Sequence, residues 1–143
     1  MENSQLIESF EALFNVIKRL RGPGGCPWDI AQTPMSMRKS FLEEAYEAAD
    51  AIEEHHSTGQ NAEHVKEELG DILLNVLMIS YMYEQEGLFS TADIMKNLTE
   101  KLIRRHPHVF GETEGYEGDD IIGTVAKQVP TDNTSVSVIT GDR

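Results

Sequence analysis

The amino-acid sequence predicts an all-α protein, an antiparallel bundle of about four main helices. Apolar residues recur at helical spacing through most of residues 1–110, and Gly, Pro and Asn separate the repeats. The segments between the repeats are short, which favours antiparallel neighbours. After Gly111 the composition changes to Gly, Thr, Asp and Ser. We therefore expect a helical domain at residues 1–110 and an acidic, mobile C-terminal tail at residues 111–143.

The first helix is predicted over about residues 4–20 and ends at Gly22-Pro23-Gly24-Gly25. A loop around Cys26-Pro27-Trp28-Asp29 follows and carries the only tryptophan. Thr33 then has the position of an N-cap, with Pro34 as the first helical residue. This second helix is expected to reach about His56, and its predicted inner side consists of Phe41, Ala45, Ala48, Ala49 and Ile52.

The third helix is predicted over about residues 62–86, between a possible N-cap at Asn61 and a stop at Gly87. From Ile72 onward it is apolar nearly all round, which is typical of a helix buried on every side. Four short helices would hardly enclose it, so we expect a homo-oligomer. A fourth helix is predicted from a capping box at residues 90–93 to about Arg105.

The amino-acid composition narrows the range of possible functions and partners. Twenty-five acidic and 12 basic residues give a net charge of −13, which repels nucleic-acid backbones and anionic membranes. We therefore expect neither as a partner. The single cysteine, Cys26, excludes an intramolecular disulfide and suits a reducing compartment. The start of the chain lacks the pattern of a secretory signal, and the apolar run at residues 72–83 is too short to cross a bilayer. These features predict a cytoplasmic protein.

Two pairs of acidic residues are the candidates for chemistry. Glu44 and Glu47 are three residues apart on the second helix, and Glu68 and Asp71 repeat that spacing on the third. Each pair therefore lies on one helix face, beside apolar positions. Two unit charges about 4 Å apart repel by about 4 kcal/mol at an effective dielectric of 20. Such a group needs protons, basic partners or a metal ion, and Mg²⁺ suits oxygen ligands. The alternative is an ordinary solvated acidic surface.

Two further features favour a site over a solvated surface. Gly70 stands inside the third helix, where glycine costs about 1 kcal/mol relative to alanine, so we expect a close approach there. Lys101, Arg104 and Arg105 form the densest basic cluster in an acidic chain. Guanidinium groups pair well with phosphate oxygens, although cations at a helix C-terminus are also favourable by themselves. Together the acids and bases suggest a site for a polyphosphate bridged by metal ions.

The segment from about Leu20 to Gly111, about two-thirds of the chain, resembles the MazG family of nucleoside triphosphate pyrophosphohydrolases. Any single matching stretch is weak, but the combination in this order is specific. The stretches are Leu20-Arg21, Gly25-Cys26-Pro27-Trp28-Asp29, Gln32-Thr33, Leu42-Glu43-Glu44-Ala45-Tyr46-Glu47, Glu67-Glu68-Leu69-Gly70-Asp71 and the residues from Lys101 to Gly111.

The resemblance implies an all-α fold that dimerises through apolar helix faces, and hydrolysis of NTP or dNTP to the monophosphate and pyrophosphate. It implies Mg²⁺, with Mn²⁺ as a possible substitute, held by Glu44, Glu47, Glu68 and Asp71. It also implies phosphate contacts from Lys101, Arg104 and Arg105, and a nucleotide pocket bordered by Trp28 and Asp29. Family members usually continue into a helix with a Trp and a Lys; after Gly111 this chain has only Lys127 and Arg143 as bases and no tryptophan.

The resulting hypothesis is metal-assisted attack of water on the triphosphate, with Glu43 or Glu47 orienting or deprotonating the water. A second hypothesis is a dimeric interaction module in which the site is inert or weakly active. A third is a di-iron carboxylate bundle, which needs Glu-x-x-His on two helices. Glu53-x-x-His56 is the sole candidate for that motif.

Overall fold

The computed structural model describes residues 3–111, and this part of the chain consists of helices and their connections. The helices are α1 (Ser4–Leu20), α2 (Pro27–Ala31), α3 (Pro34–Thr58), α4 (Ala62–Gln85), α5 (Thr91–Arg105) and α6 (Pro107–Phe110). The prediction of an all-α fold is confirmed for this range. The predicted tail at residues 111–143 lies outside the described residues, apart from Gly111. No helix within residues 3–111 has the combination of length and hydropathy needed to span a bilayer.

The helices divide into two compact units at the boundary between Thr91 and Ala92. In the first unit α3 packs against α4, and α1 also contacts α4. The connection between α3 and α4 spans only residues 59–61, so the two helices form a hairpin. The predicted four-helix bundle also includes α5, which belongs almost wholly to the second unit. That arrangement therefore remains a prediction.

Local chemistry explains where α3 begins and ends. The Thr33 Oγ1 accepts the backbone N–H of Ser36 at 3.0 Å, and the Ser36 Oγ accepts the backbone N–H of Thr33 at 2.8 Å. Pro34 occupies the first helical position, where a missing N–H costs nothing. The helix continues through Thr58 and stops at Gly59, whose φ of 75° is left-handed. The predicted start is confirmed, and the end lies two residues beyond the predicted one.

The core of the first unit lies where α1 meets α4. Ile17 of α1 packs with Leu77, Met78 and Met82 of α4, and all four are buried. Partly buried side chains surround this cluster: Phe10, Leu13, Met37 and Tyr81. Burying these apolar surfaces against one another is the main force that holds α1 and α4 together.

The remaining apolar faces of α3 and α4 are not covered in the described part of the chain. Leu73 and Leu74 of α4 are 44% and 39% exposed. Burial of α4 in a subunit interface, which was expected because four short helices would hardly enclose it, remains a prediction. The predicted inner side of α3 is wrong in part, because Ala48 and Ala51 are buried whereas Ile52 is 50% exposed. Phe41, Ala45 and Ala49 are exposed as well.

The loop predicted at Cys26 to Asp29 contains the short helix α2, which was missed because five residues show no periodicity. Arg21 holds this segment. Its Nη1 donates to the backbone carbonyls of Asp29 and Gln32 at 2.7 and 3.0 Å, and its Nε donates to the Gln85 Oε1 at 2.7 Å. Gly25 lies so close to the carbonyl oxygens at the end of α1 that a Cβ would collide with them. The segment is therefore clamped between α1 and α4.

Candidate metal centre

Three carboxylates from the α3–α4 hairpin converge. Glu44 comes from α3, and Glu68 and Asp71 come from α4. One oxygen from each of these side chains lies within 4.8 Å of the other two. Glu68 and Asp71 share a helix face because they are three residues apart, and the packing of α3 on α4 adds Glu44. We call these three residues the carboxylate cluster.

Two oxygens of the carboxylate cluster are buried without a hydrogen-bond partner among the described residues. They are the Oε1 of Glu44 and the Oε1 of Glu68. A buried polar oxygen that lacks a partner costs free energy, and the cost is higher when the oxygen carries charge. A proton or a cation between the carboxylates would remove that cost.

The electrostatics of Glu44 lead to the same conclusion. Burial raises the pKa of its carboxyl above the ordinary value, and the charges of Asp71 and Glu68 raise it further. The charge of Glu47 acts in the same direction. The group therefore favours a bound positive charge, whether a proton or a metal ion. All the donors are carboxylate oxygens, the ligands that suit a hard divalent cation.

Glu43 and Glu47 do not belong to the carboxylate cluster. Glu47 is exposed and is not among the converging oxygens, yet its charge affects Glu44. The Glu43 side chain is 61% exposed and lies 3.9 Å from the Nζ of Lys39. Adjacent residues on a helix point about 100° apart, which is why Glu43 faces solvent while Glu44 faces α4.

Comparison with known proteins identifies the family of this chain. The model of the MazG nucleotide pyrophosphohydrolase domain matches residues 32–110, which include the whole carboxylate cluster. The chain belongs to the MazG family.

Several curated MazG relatives are similar to this chain. It is 45% identical over 107 residues to the Nucleoside triphosphate pyrophosphohydrolase/pyrophosphatase MazG of Thermotoga maritima, covering 75% of this chain and 40% of the relative. It is 40% identical over 121 residues to the Uncharacterized protein YabN of Bacillus subtilis, covering 85% and 24%. It is 35% identical over 117 residues to the Nucleoside triphosphate pyrophosphohydrolase of Escherichia coli K12, covering 81% and 43%. The chain thus spans less than half the length of these relatives. No solved structure matched it.

The tryptophan segment of this MazG chain is ordered by contacts that the sequence reasoning missed. Trp28 of α2 is 69% exposed, so its indole is available to a ligand. Asp29 is half-buried, and its backbone carbonyl accepts from Arg21. The sequence signal for Arg21 was the stretch Leu20-Arg21 that resembles the family, and this stretch does not reveal that Arg21 acts as a clamp. The proposed substrate contacts of Trp28 and Asp29 remain predictions.

The basic residues predicted to contact phosphate lie in the second unit. Arg104 and Arg105 occupy the last turn of α5, and Lys101 precedes Arg105 by one turn. Lys101 and Arg104 are half-buried, whereas Arg105 is exposed. His106 follows, and its Nδ1 lies 2.6 Å from the Leu102 carbonyl, a contact that supports the structural interpretation of this histidine. The phosphate contacts remain a prediction.

Gly70 of the MazG ExxD segment has no neighbour that explains it. A Cβ built there would meet nothing within 4 Å among the described residues. The close approach expected at this position does not come from the described part of the same chain.

Proposed function

We propose that this protein hydrolyses nucleoside triphosphates or their deoxy forms to the monophosphate and pyrophosphate, with Mg²⁺ as the cofactor. The observation that carries the proposal is the carboxylate cluster with its two unpartnered buried oxygens, in a chain of the MazG family. Relatives from Thermotoga maritima and Escherichia coli bear the name of this activity. Since the chain covers only part of each relative, the activity is a proposal for this chain.

Glu44, Glu68 and Asp71 would hold the cation, and Glu47 would join them if its exposed side chain turns toward α4. Mn²⁺ would substitute because it also accepts oxygen ligands. When bound, the ion supplies Lewis-acid polarisation of a phosphate oxygen and lowers the pKa of a water. The cluster contains no histidine, and Glu53 and His56 lie outside it and are exposed. The donor set therefore favours Mg²⁺ over a di-iron centre.

We propose Glu47 as the group that orients the water and accepts its proton. Glu47 is exposed and close enough for its charge to raise the pKa of Glu44, whereas Glu43 has Lys39 beside it. The water oxygen forms a bond to the α-phosphorus, and the bond from that phosphorus to the pyrophosphate oxygen breaks. The water proton goes to the carboxylate, and pyrophosphate leaves with the electron pair. Lys101, Arg104 and Arg105 would offset its charge.

We propose that a second copy of the chain covers the exposed apolar faces. Leu69, Leu73 and Val76 recur at the spacing of one helix stripe and are 50%, 44% and 38% exposed. On α3, Leu42 and Tyr46 are 58% and 75% exposed. Apolar surface of this extent favours association, so we expect a homodimer or a higher homo-oligomer. The acidic charge argues against nucleic acid and membranes as partners. We also propose a cytoplasmic location, which suits an enzyme that hydrolyses nucleotides.

The test is release of pyrophosphate from a panel of NTPs and dNTPs with Mg²⁺. Glu44→Gln and Glu68→Gln should each lower kcat/KM by about 100-fold or more, since even outer-shell changes at metal sites cost up to about that much. Glu63→Gln is the matched control, because Glu63 is an exposed carboxylate of α4 that pairs with Lys66 at 2.8 Å and lies outside the carboxylate cluster. Equal turnover by all four proteins would contradict the metal centre. No turnover by the wild type, with no stabilisation by Mg²⁺, would favour the interaction module.

A further inference from the structure

His64 lies one turn before Glu68 on α4 and contacts it directly. The His64 Nε2 is 3.2 Å from the Glu68 Oε2. An ionised carboxylate only accepts, so this contact is a hydrogen bond when the ring carries its hydrogen on Nε2. The other oxygen, Glu68 Oε1, is the buried one that has no partner among the described residues. His64 therefore engages one oxygen of Glu68, and the buried second oxygen stays free of hydrogen bonds in this part of the chain.

The opposite side of the His64 ring faces the end of α3. Its Nδ1 lies 3.8 Å from the Glu54 Oε1. The other oxygen of Glu54 accepts the side-chain amide of Asn61 at 2.7 Å. Asn61 precedes α4 with a φ of 65°, and it makes this bond instead of capping the helix with its side chain. The imidazole thus lies between two carboxylates that belong to different helices of the hairpin.

We propose that His64 is a positioning residue that holds the Glu68 side chain in the conformation in which one of its oxygens converges with those of Glu44 and Asp71. This inference rests on the proposed metal centre. Glutamate has three rotatable side-chain bonds, and a ligand that must be ordered on binding costs affinity. Groups that hydrogen-bond the ligands of a metal ion commonly orient them and strengthen binding. Glu54 and Asn61 restrict the rotation of the His64 ring. The contacts that position Glu68 therefore extend from the α3–α4 connection to the carboxylate cluster.

The test measures Mn²⁺ binding by the full chain without nucleotide, from the free-ion signal in electron paramagnetic resonance. His64→Ala should weaken Mn²⁺ binding by about tenfold. It should raise the Mg²⁺ concentration for half-maximal turnover by a similar factor, with kcat at saturating Mg²⁺ nearly unchanged. His64→Gln should recover part of the affinity, because its amide can donate to Glu68. His56→Ala is the matched control, since His56 is an exposed histidine at the end of α3.

The outcomes separate this inference from the proposed function. Tight Mn²⁺ binding by the wild type that is lost in Glu68→Gln but unchanged in both His64 variants would overturn the positioning role alone. Absence of Mn²⁺ binding in the wild type as well would overturn the metal centre and this inference with it. Circular dichroism checks folding: if His64→Ala unfolds, His64→Gln decides the matter, and loss of the fold in both variants would make His64 structural and overturn the proposal.

Discussion

Glu44→Gln should stabilise the metal-free protein while removing the response of its stability to metal. The cluster oxygens lie within 4.8 Å of one another. At about that distance two unit charges repel by about 3 kcal/mol at an effective dielectric of about 20, and by about 1 kcal/mol in bulk water. Glu44 is only half-buried, so screening moves the effect toward the lower figure. We expect a gain in unfolding free energy of about 1 kcal/mol in EDTA, or about 3 °C in Tm for a chain of this size.

The pH dependence of that gain follows from the raised pKa of Glu44. A carboxyl with a pKa above its ordinary value of 4.5 binds its proton more tightly in the folded than in the unfolded state. Its contribution to stability is therefore present below pH 4.5 and is lost as the pH rises through the folded-state pKa. The Glu44→Gln variant lacks this loss. The difference in Tm between variant and wild type should grow as the pH rises from about 4 to 8.

Binding of Mg²⁺ should make the wild type more stable than the Glu44→Gln variant. At a Mg²⁺ concentration about ten times its Kd, binding stabilises the wild type by about 1.4 kcal/mol, and the variant should gain far less. The assay is thermal unfolding in EDTA and in Mg²⁺ over that pH range. Glu43→Gln is the matched control, because this exposed carboxylate of α3 contacts only Lys39 in the described structure. A variant less stable than the wild type in EDTA, with no dependence on pH, would refute the reasoning.

Two glycines should respond oppositely to alanine. Gly25→Ala should lower the unfolding free energy by about 1–3 kcal/mol, because its Cβ would collide with the carbonyls of Arg19 and Leu20. Gly70→Ala has open space and should raise the unfolding free energy by about 1 kcal/mol through helix propensity. Urea denaturation measures the stability of both variants, and equal midpoints for the two would contradict the argument. Leu73→Asp should shift the protein toward monomer in analytical ultracentrifugation, because a charge on the exposed apolar stripe of α4 opposes association. An unchanged sedimentation profile would exclude that stripe as the interface.

Helix ends were predictable because they depend on neighbouring residues. Thr33, Ser36 and Pro34 create the start of α3 through their own hydrogen bonds and fixed geometry. Gly59 ends α3 because it readily adopts a positive φ. The short helix α2 escaped prediction because five residues cannot display a helical period and because its anchor, Arg21, acts through backbone carbonyls.

The buried faces were less predictable, because a sequence does not show how far one helix is rotated toward the next. Ala51 was not expected to be buried, yet it lies with Ala48 on the covered face of α3. Small side chains carry little periodic signal, so the face of an alanine-rich helix is decided by its partner. The same limit applies to His64, whose contact with Glu68 is visible in the spacing but whose position beside Glu54 needs the hairpin.

By itself, the sequence determined the four long helices, which residues pair at one-turn spacing and which family motifs are present, since all of these are local patterns along the chain. Tertiary structure decided that Glu44 meets Glu68 and Asp71 while Glu43 turns to solvent. It also decided that two carboxylate oxygens are buried without partners. These properties arise only when α3 packs on α4, because burial and repulsion between charges depend on distances that spacing along a single helix does not define.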